Sequence, residues 1–349
     1  MTSLSSTIIV YRARQWRRVL ALLGGFFAVI AAAVADVASG PSMLPFAQVW
    51  AVLIHPGAIT DTALLAIVWD IRLPMTLTAL AVGASLGVSG AAMQTILRNP
   101  LASPYTLGIS AAAGFGAAIS ILFGITIAYV EWASVAVMAF AMAFVACLGV
   151  WAMGRARGFS TDVLVLAGIA MLFLFQSLQS LTQYLASPEV LQEIVFWLFG
   201  SLLKANWTSV KVSGGIFLLV LPWIARDAWK LTALGLGDEN ARSLGLSVEG
   251  LRLRILVLTS LLTAGAVAFV GTIGFVGLVA PHIARAFVGE DQRYLIPLSA
   301  LGGAFIMAGA SILSKMISPG ALIPIGIVTA VIGVPFLFVL IVRKKKVAI

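Results

Sequence analysis

The residues that could do chemistry are few and stand far apart. There are two histidines, His55 and His282, and one cysteine, Cys147. His55 lies beside Pro56-Gly57, where a surface loop residue is expected, and the two histidines fall on opposite faces of the orientation derived below. Cys147 has no partner for an internal disulfide and sits in an apolar run, as a small core residue would. Met75, Met93, Met138, Met142 and Met153 are scattered and mark no metal-handling track, so no metal ligand set and no catalytic group is assigned. There is no Gly-x-x-x-x-Gly-Lys-Ser/Thr phosphate loop, which excludes ATP hydrolysis at a Walker site on this chain. No carboxylate, lysine or arginine stands in the middle of an apolar run, where a proton- or sodium-coupled carrier or an ion channel would usually need one.

Two constellations do have spacing. Gln176, Ser180 and Gln183 fall on one face of a helix as an uncharged polar stripe. Such a stripe either makes interhelical hydrogen bonds or wets the wall of a route for a bulky polar ligand. The other is Gly237-Asp238-Glu239-Asn240-Ala241-Arg242-Ser243-Leu244-Gly245. Asp238 is placed to cap a short helix, Glu239 suits its positive end, Gly245 can terminate it, and Ala241 with Leu244 gives it an apolar edge. It is either a bland loop helix or a docking element.

The elements that carry these residues are set by composition. Of 349 residues, 61% are hydrophobic and only 10% charged, far below the quarter or so of a soluble domain, so the chain belongs in a lipid bilayer. Charge-free runs cover Val19 to Ala35, Leu73 to Leu97, Asn99 to Val130, Trp132 to Gly154, Val163 to Pro188, Ile255 to Ala284, Tyr294 to Ser314 and Met316 to Val342. A shorter run, Val212 to Ala225, crosses if Trp207 and Trp223 sit at its interfaces. Without strand-like alternation these read as helices. The basic residues, from Arg12, Arg14, Arg17 and Arg18 through Arg98, Arg155, Arg157, Arg226, Lys230, Arg242, Arg252, Arg254, Arg285 and Arg293 to Arg343 and Lys344 to Lys346, fall on one side, leaving Arg72, Lys204, Lys211 and Lys315 on the other. The positive-inside rule then places both termini in the cytoplasm and accounts for the net charge of +9 without nucleic acid. Asp36-Val-Ala-Ser-Gly40 offers small residues to a signal peptidase, but the preceding run is long enough to stay as a helix.

Parity exposes broken spans. Arg252 and Arg254 share a side with Arg285 and Arg293, yet about 30 residues of helix measure about 45 Å, too little for two full crossings of about 30 Å. Gly271, Gly274 and Gly277 with Pro281 mark where one crossing is interrupted. A matching interruption at Asn99, Pro100 and Pro104 follows the long run from Leu73. The expected fold is all-α and polytopic: one transmembrane domain over 1–349 of about ten helices, a cytoplasmic loop at 232–252, and inverted repeats near 70–185 and 250–342.

Five stretches, in order, carry a resemblance. They are Ile71-Arg72-Leu73-Pro74; Gly90-Ala-Ala-Met-Gln94 with Arg98-Asn-Pro-Leu-Ala-Ser-Pro104; Gly237 to Gly245; Gly274-Phe-Val-Gly-Leu-Val-Ala-Pro-His-Ile-Ala-Arg285; and Pro324-Ile-Gly-Ile-Val-Thr-Ala-Val-Ile-Gly-Val-Pro335. Over nearly the whole chain the sequence resembles the FecCD/BtuC-type permeases of type II ABC importers, which take up ferric siderophores, haem or cobalamin. The resemblance implies a BtuC-like subunit of the bacterial inner membrane. Its partners would be a second permease, the same chain or a different one, two ATPase subunits that bind ATP and Mg, and a periplasmic substrate-binding protein. Gly237 to Gly245 becomes the ATPase-coupling helix, with Asp238, Glu239 and Arg242 as polar contacts and Leu244 packed beneath. Gln176, Ser180 and Gln183 line the pathway, and His282 belongs to a motif common to all cargoes. The outer face departs from the family. Arg72 matches a docking arginine for the binding protein, but the second is Met75, the acid and arginine near the end of the ninth span are Ser311 and Lys315, and a glutamate is Leu322. Docking then rests on Arg72 and Lys315 with weaker electrostatics, or a different permease partner supplies the arginines. A ferric siderophore is the first cargo choice, haem and cobalamin following; an ATP-independent secondary carrier is the alternative of another class.

Overall fold

The computed structural model describes residues 2–40, 44–59, 61–127, 133–317 and 323–344, and every regular element among them is helical. The expected run boundary near 130–132 and the departure at Leu322 lie outside the described residues. The helices are α1 (Thr2–Ala38), α2 (Phe46–Ile54), α3 (Thr62–Ala66), α4 (Leu73–Ile96), α5 (Ile109–Leu122), α6 (Ser134–Arg157), α7 (Thr161–Leu185), α8 (Pro188–Leu198), α9 (Trp207–Arg226), α10 (Ala228–Gly235), α11 (Asp238–Ser243), α12 (Val248–Val270), α13 (Val276–Val288), α14 (Gln292–Met316) and α15 (Ile325–Lys344). A π-helical stretch, Ile67–Arg72, fuses α3 to α4. Seven stretches are long and apolar enough to cross a membrane, and α5, α13 and part of α15 are shorter apolar helices. The chain is a multi-pass membrane protein.

α4 is the axis of the bundle, buried along most of its length and packed on α12, α13 and α14. Glycines allow this. A Cβ on Gly90 would lie 1.7 Å from the Gly277 carbonyl oxygen of α13, and one on Gly83 would lie 2.3 Å from that of Gly303 in α14. Backbones that close gain dispersion and leave no room for any larger residue, the packing that replaces the hydrophobic drive inside lipid.

The same order of elements occurs in both halves. A long helix (α4, α12) meets an irregular break and then a short helix (α5, α13), with α5 packed on α6 and α13 on α14. Asn99, Pro100 and Pro104 lie in the first break. There Arg98 takes φ 46°, its N–H reaching the Thr95 carbonyl and that of Asn99 the Gln94 carbonyl, which ends α4 with an arginine where glycine is usual. In the second break Gly271 (φ 76°) ends α12 and Gly274 lies in the irregular stretch, but Gly277 and Pro281 lie inside α13. Pro281 does not end that helix: it lies inside it as the sixth residue, where it removes the N–H that would otherwise reach the Gly277 carbonyl, and Gly277 serves the close approach to Gly90.

The second break satisfies its backbone from elsewhere. Ser201 N–H donates to Val270 O (2.7 Å), Ile325 N–H to Gly200 O (2.9 Å), Gly326 N–H to Phe199 O (3.1 Å), and Thr272 Oγ1 to Leu198 O (2.5 Å). The end of α8, the break and the start of α15 are thereby stitched together, as irregular backbone at membrane depth must be. Phe275 sits at φ 67°, ψ −34°, with Val276 N–H donating to Gly274 O at 2.8 Å, a strained γ-turn for a bulky residue.

Two elements differ from the sequence expectation. The short run near Val212 is the core of a full 20-residue helix, α9, because Asn206 accepts the Thr208 and Ser209 N–H groups and starts the helix a turn earlier, at Trp207, carrying Lys211 inside it. The run from Val163 to Pro188 is α7, and a separate helix beyond it, α8, starts on Pro188 under a Ser187 cap.

Candidate coupling site and pathway

At the face carrying the basic loops, α10 and α11 form a short connection between α9 and α12. α11 does not start on a side-chain cap: its N-cap is Gly237 at φ 114°, and Asp238 turns the other way. Its two oxygens accept from Arg252 Nη1 and Nη2, both at 2.9 Å. The remaining Arg252 donors reach Ile96 O (Nε, 3.0 Å), Phe159 O (Nη1, 2.9 Å) and Thr161 Oγ1 (Nη2, 3.0 Å). All five donors of this guanidinium, which is 2% exposed, are used. One side chain thus holds α11 against the end of α4, the loop between α6 and α7, and α12. A second knot lies on the α10 side, where buried Asp227 accepts from Lys230 Nζ (2.8 Å) and Arg254 Nη1 (2.9 Å). Sequence reasoning assigned Asp238 outward and missed Arg252; its one signal was a charge only four residues into an apolar helix.

α11 closes at Gly245 (φ 79°), whose N–H reaches Arg242 O, while Leu246 N–H reaches Ala241 O. Ala241 is buried beneath it. Glu239, Asn240, Arg242, Ser243 and Gly245 are exposed. Leu244 is not packed beneath: it is 54% exposed, beside Leu236 at 68%. Ala241 faces the bundle, whereas Leu244 is the C-cap of α11, at φ −83°, ψ 8°, and leaves the helical register that would have kept it on Ala241's face. The result is a rigidly backed helix presenting two leucines among mixed charges.

The two bases expected to present charge on the opposite face are turned inward. Lys315 Nζ donates to Asp36 Oδ1 (2.8 Å) and Asp36 O (3.1 Å), and Arg72 Nη1 donates to Val37 O (3.1 Å) and Ala38 O (2.9 Å). Met75 is buried in the core.

On α7, Ser180 is exposed and Gln176 and Gln183 are half-buried on its flank. The outermost stripe is Phe173, Ser177, Ser180 and Tyr184, the last 86% exposed. Among the described residues no other element covers it. A separate cavity of about 560 Å³ lies where the two breaks converge, lined by Ser103, Tyr105 and Thr106 from the first, Thr272, Gly274 and Phe275 from the second, and Gly326, Ile327, Ala330 and Val331 of α15. His282 stands edge-on to Phe336 of α15, with ring centroids 6.0 Å apart. Cys147 is buried.

Full-length and shortened apolar helices, a break in each half and a pinned, apolar-tipped loop helix describe an all-α polytopic membrane protein, and its similarity to known proteins makes it an ABC transporter permease. Residues 15–343 match the FecCD transport family, and the chain belongs to that family. It is 40% identical over 290 residues to an ABC transporter permease protein of Methanocaldococcus jannaschii, covering 80% of this chain and 83% of the relative. It is also 40% identical over 287 residues to an iron chelatin transport system permease protein of Helicobacter pylori, covering 82% and 85%. Its fold is similar, at a TM-score of 0.82 and 32% identity over 92% of this chain and 98% of the other, to a metal-chelate type ABC transporter solved in an inward-facing conformation.

Proposed function

We propose that this chain is the permease half of an ATP-driven importer of the bacterial inner membrane that carries a ferric siderophore inward by alternating access. The observation that carries the proposal is α11, a six-residue helix held by a saturated guanidinium on its inner side and exposing Leu236, Leu244, Glu239 and Arg242 on its outer side. A helix so backed cannot yield locally, so a push on it tilts the bundle, which is what coupling to a closing ATPase dimer requires. In this reading the basic face and both termini are cytoplasmic. Two ATPase subunits hold the ATP and Mg, a second permease completes the pathway on the uncovered α7 face, with Gln176, Ser180 and Gln183 as its wetted flank, and a periplasmic binding protein delivers the cargo. The named cargo of the Helicobacter pylori relative supports an iron chelate.

The test is Arg242→Glu with Leu244→Asp, assayed in membranes containing the ATPase. Uptake and substrate-stimulated ATP hydrolysis are expected to fall together, and unchanged values for both would sink the coupling assignment. Reconstitution with the ATPase and binding protein encoded beside this chain, followed with a ferric siderophore and with haem, decides the cargo. Uptake that runs without ATP would replace the importer with a secondary carrier.

A further inference from the structure

The far end of α1 is capped by side chains from two other helices. The last four carbonyls of an α-helix have no partner within it, and in an apolar setting each must find one. Here the accounting closes. Ala35 O accepts from Ser39 N–H (2.9 Å) and Ser39 Oγ (2.7 Å), Asp36 O accepts from Lys315 Nζ (3.1 Å), and Val37 O and Ala38 O accept from Arg72 Nη1 (3.1 and 2.9 Å). The Asp36 carboxylate, itself fully buried, takes Lys315 Nζ on Oδ1 (2.8 Å) and Thr76 Oγ1 on Oδ2 (2.5 Å). Arg72 and Lys315 are about as buried as their partners, at 4% and 5% exposed. The Arg72 guanidinium also lies so close to the Gly40 backbone that a Cβ there would sit 2.6 Å from Nη2.

Two positive charges therefore meet one carboxylate and the negative end of a helix, which carries about half a charge. Ser311, one turn before Lys315 on α14, contributes nothing: its hydroxyl is buried without a partner. Among the described residues, the acid in contact with Lys315 comes from α1. Apart from its packing on α14, α1 is little buried, with 11% of its apolar window inside the protein. It is clamped to α14 at both ends by ion pairs of opposite sense, Arg18 to Asp291 at 3.1 Å at one face and Asp36 to Lys315 at the other.

We infer that Arg72 and Lys315 are the C-terminal cap of α1, with Asp36 as the positioning carboxylate that holds them, so that a binding protein is received on this chain by groups other than these two bases. The second half of that statement rests on the importer reading; the first does not.

The experiment uses the reconstituted complex with Lys315→Met, Asp36→Asn and the double variant, measuring the thermal midpoint and the affinity of the binding protein across a salt series. Lys315→Met takes from the buried Asp36 carboxylate the ammonium in direct contact with it, so the midpoint and folded yield are expected to drop, and adding Asp36→Asn to restore most of both. In the double variant, binding-protein affinity and its salt dependence are expected to stay within about threefold of the parent. Additive losses without rescue would overturn the cap. A double variant that folds but binds at least about tenfold more weakly, with a flatter salt dependence, would show that Lys315 meets the binding protein after all. If the unaltered complex binds no such protein at any salt, the importer reading fails, and the rescue alone decides the cap.

Discussion

Arg252→Met is the sharpest probe of the coupling loop, because the side chain is 2% exposed and its five donors are all engaged. Methionine keeps the apolar stem and removes the fork. Ile96 O, fully inside the protein, then loses its side-chain donor, while Phe159 O and Thr161 Oγ1 are partly reached by water. Leaving one buried carbonyl short costs about 1–2 kcal/mol. Losing the bidentate pair to Asp238 costs less than the 3–5 kcal/mol of a fully buried ion pair, since that carboxylate is 28% exposed and water can replace the guanidinium; about 1–2 kcal/mol is reasonable. The sum, about 3 kcal/mol, is large against a typical total of about 5–15 kcal/mol, and it falls on α11 rather than on the spans. The expected result is a lower thermal midpoint together with ATP hydrolysis that continues without uptake, since the helix that receives the push is no longer backed. Arg252→Lys should lie between, keeping the charge and losing the fork. A cycle with Asp238→Asn should return a coupling of about 1–2 kcal/mol. Wild-type midpoint and wild-type coupling in Arg252→Met would refute the reasoning.

Gly90→Ala should cost at least about 3 kcal/mol and prevent accumulation of folded protein, because the new methyl meets the Gly277 carbonyl at 1.7 Å, backbone that cannot step aside. Gly309→Ala in α14, with nothing within 4 Å, should be neutral or stabilise by up to about 1 kcal/mol; membrane expression and thermal midpoint check the pair. Asp291, at the start of α14, is held below the ordinary carboxylate range by hydrogen bonding from Arg293 and by the charges of Arg293 and Arg18, which outweigh its partial burial. A lowered folded-state value means its contribution is fully present above about pH 4 and is lost as pH falls below it. Thermal midpoints measured from pH 6 to pH 3 should therefore fall in the parent at the acid end and fall less in Asp291→Asn. Gly333→Ala places a methyl 2.4 Å from the Phe275 Cβ, so it should shift α15 or the γ-turn and lower uptake more than it lowers folded yield; a proportionate fall in both would count against a mobile role for that contact.

Much of the fold was legible because lipid leaves few choices. Apolar runs that span lipid read as helices here, and Arg155, Arg226, Arg254 and Arg293 fall together on one face of the bundle as the alternation of runs requires. The parity of Arg252 against Arg285 revealed a broken span that hydropathy alone would have merged into one. Gly271 is the residue that ends α12, while Pro281 misled, because it stands inside α13, where surrounding packing carries a proline that the sequence alone would read as a helix break. α8 and the early start of α9 escaped because both depend on caps, Ser187 and Asn206, whose effect is local and whose residues look like ordinary loop.

The candidate sites were legible by type and not by direction. Sequence placed Asp238, Arg72 and Lys315 near the two faces of the membrane, where charge is normally assumed to face water or a partner. In each case a charge of opposite sign, far away in sequence or across a short loop, took it inward: Arg252 fourteen residues on for Asp238 and Asp36 279 residues away for Lys315. Arg72 lies in the field of the same Asp36 and donates besides to two backbone carbonyls, which no residue pattern can announce. The physical reason is common to all three. Helix ends near lipid leave carbonyls and dipoles that water cannot fully serve, and a long basic side chain from a neighbouring helix is the cheapest group that can. The charges of this permease that remain available to partners are therefore those for which the bundle has no internal use, among them Glu239 and Arg242 of α11, and it is on these that docking mutations should be concentrated.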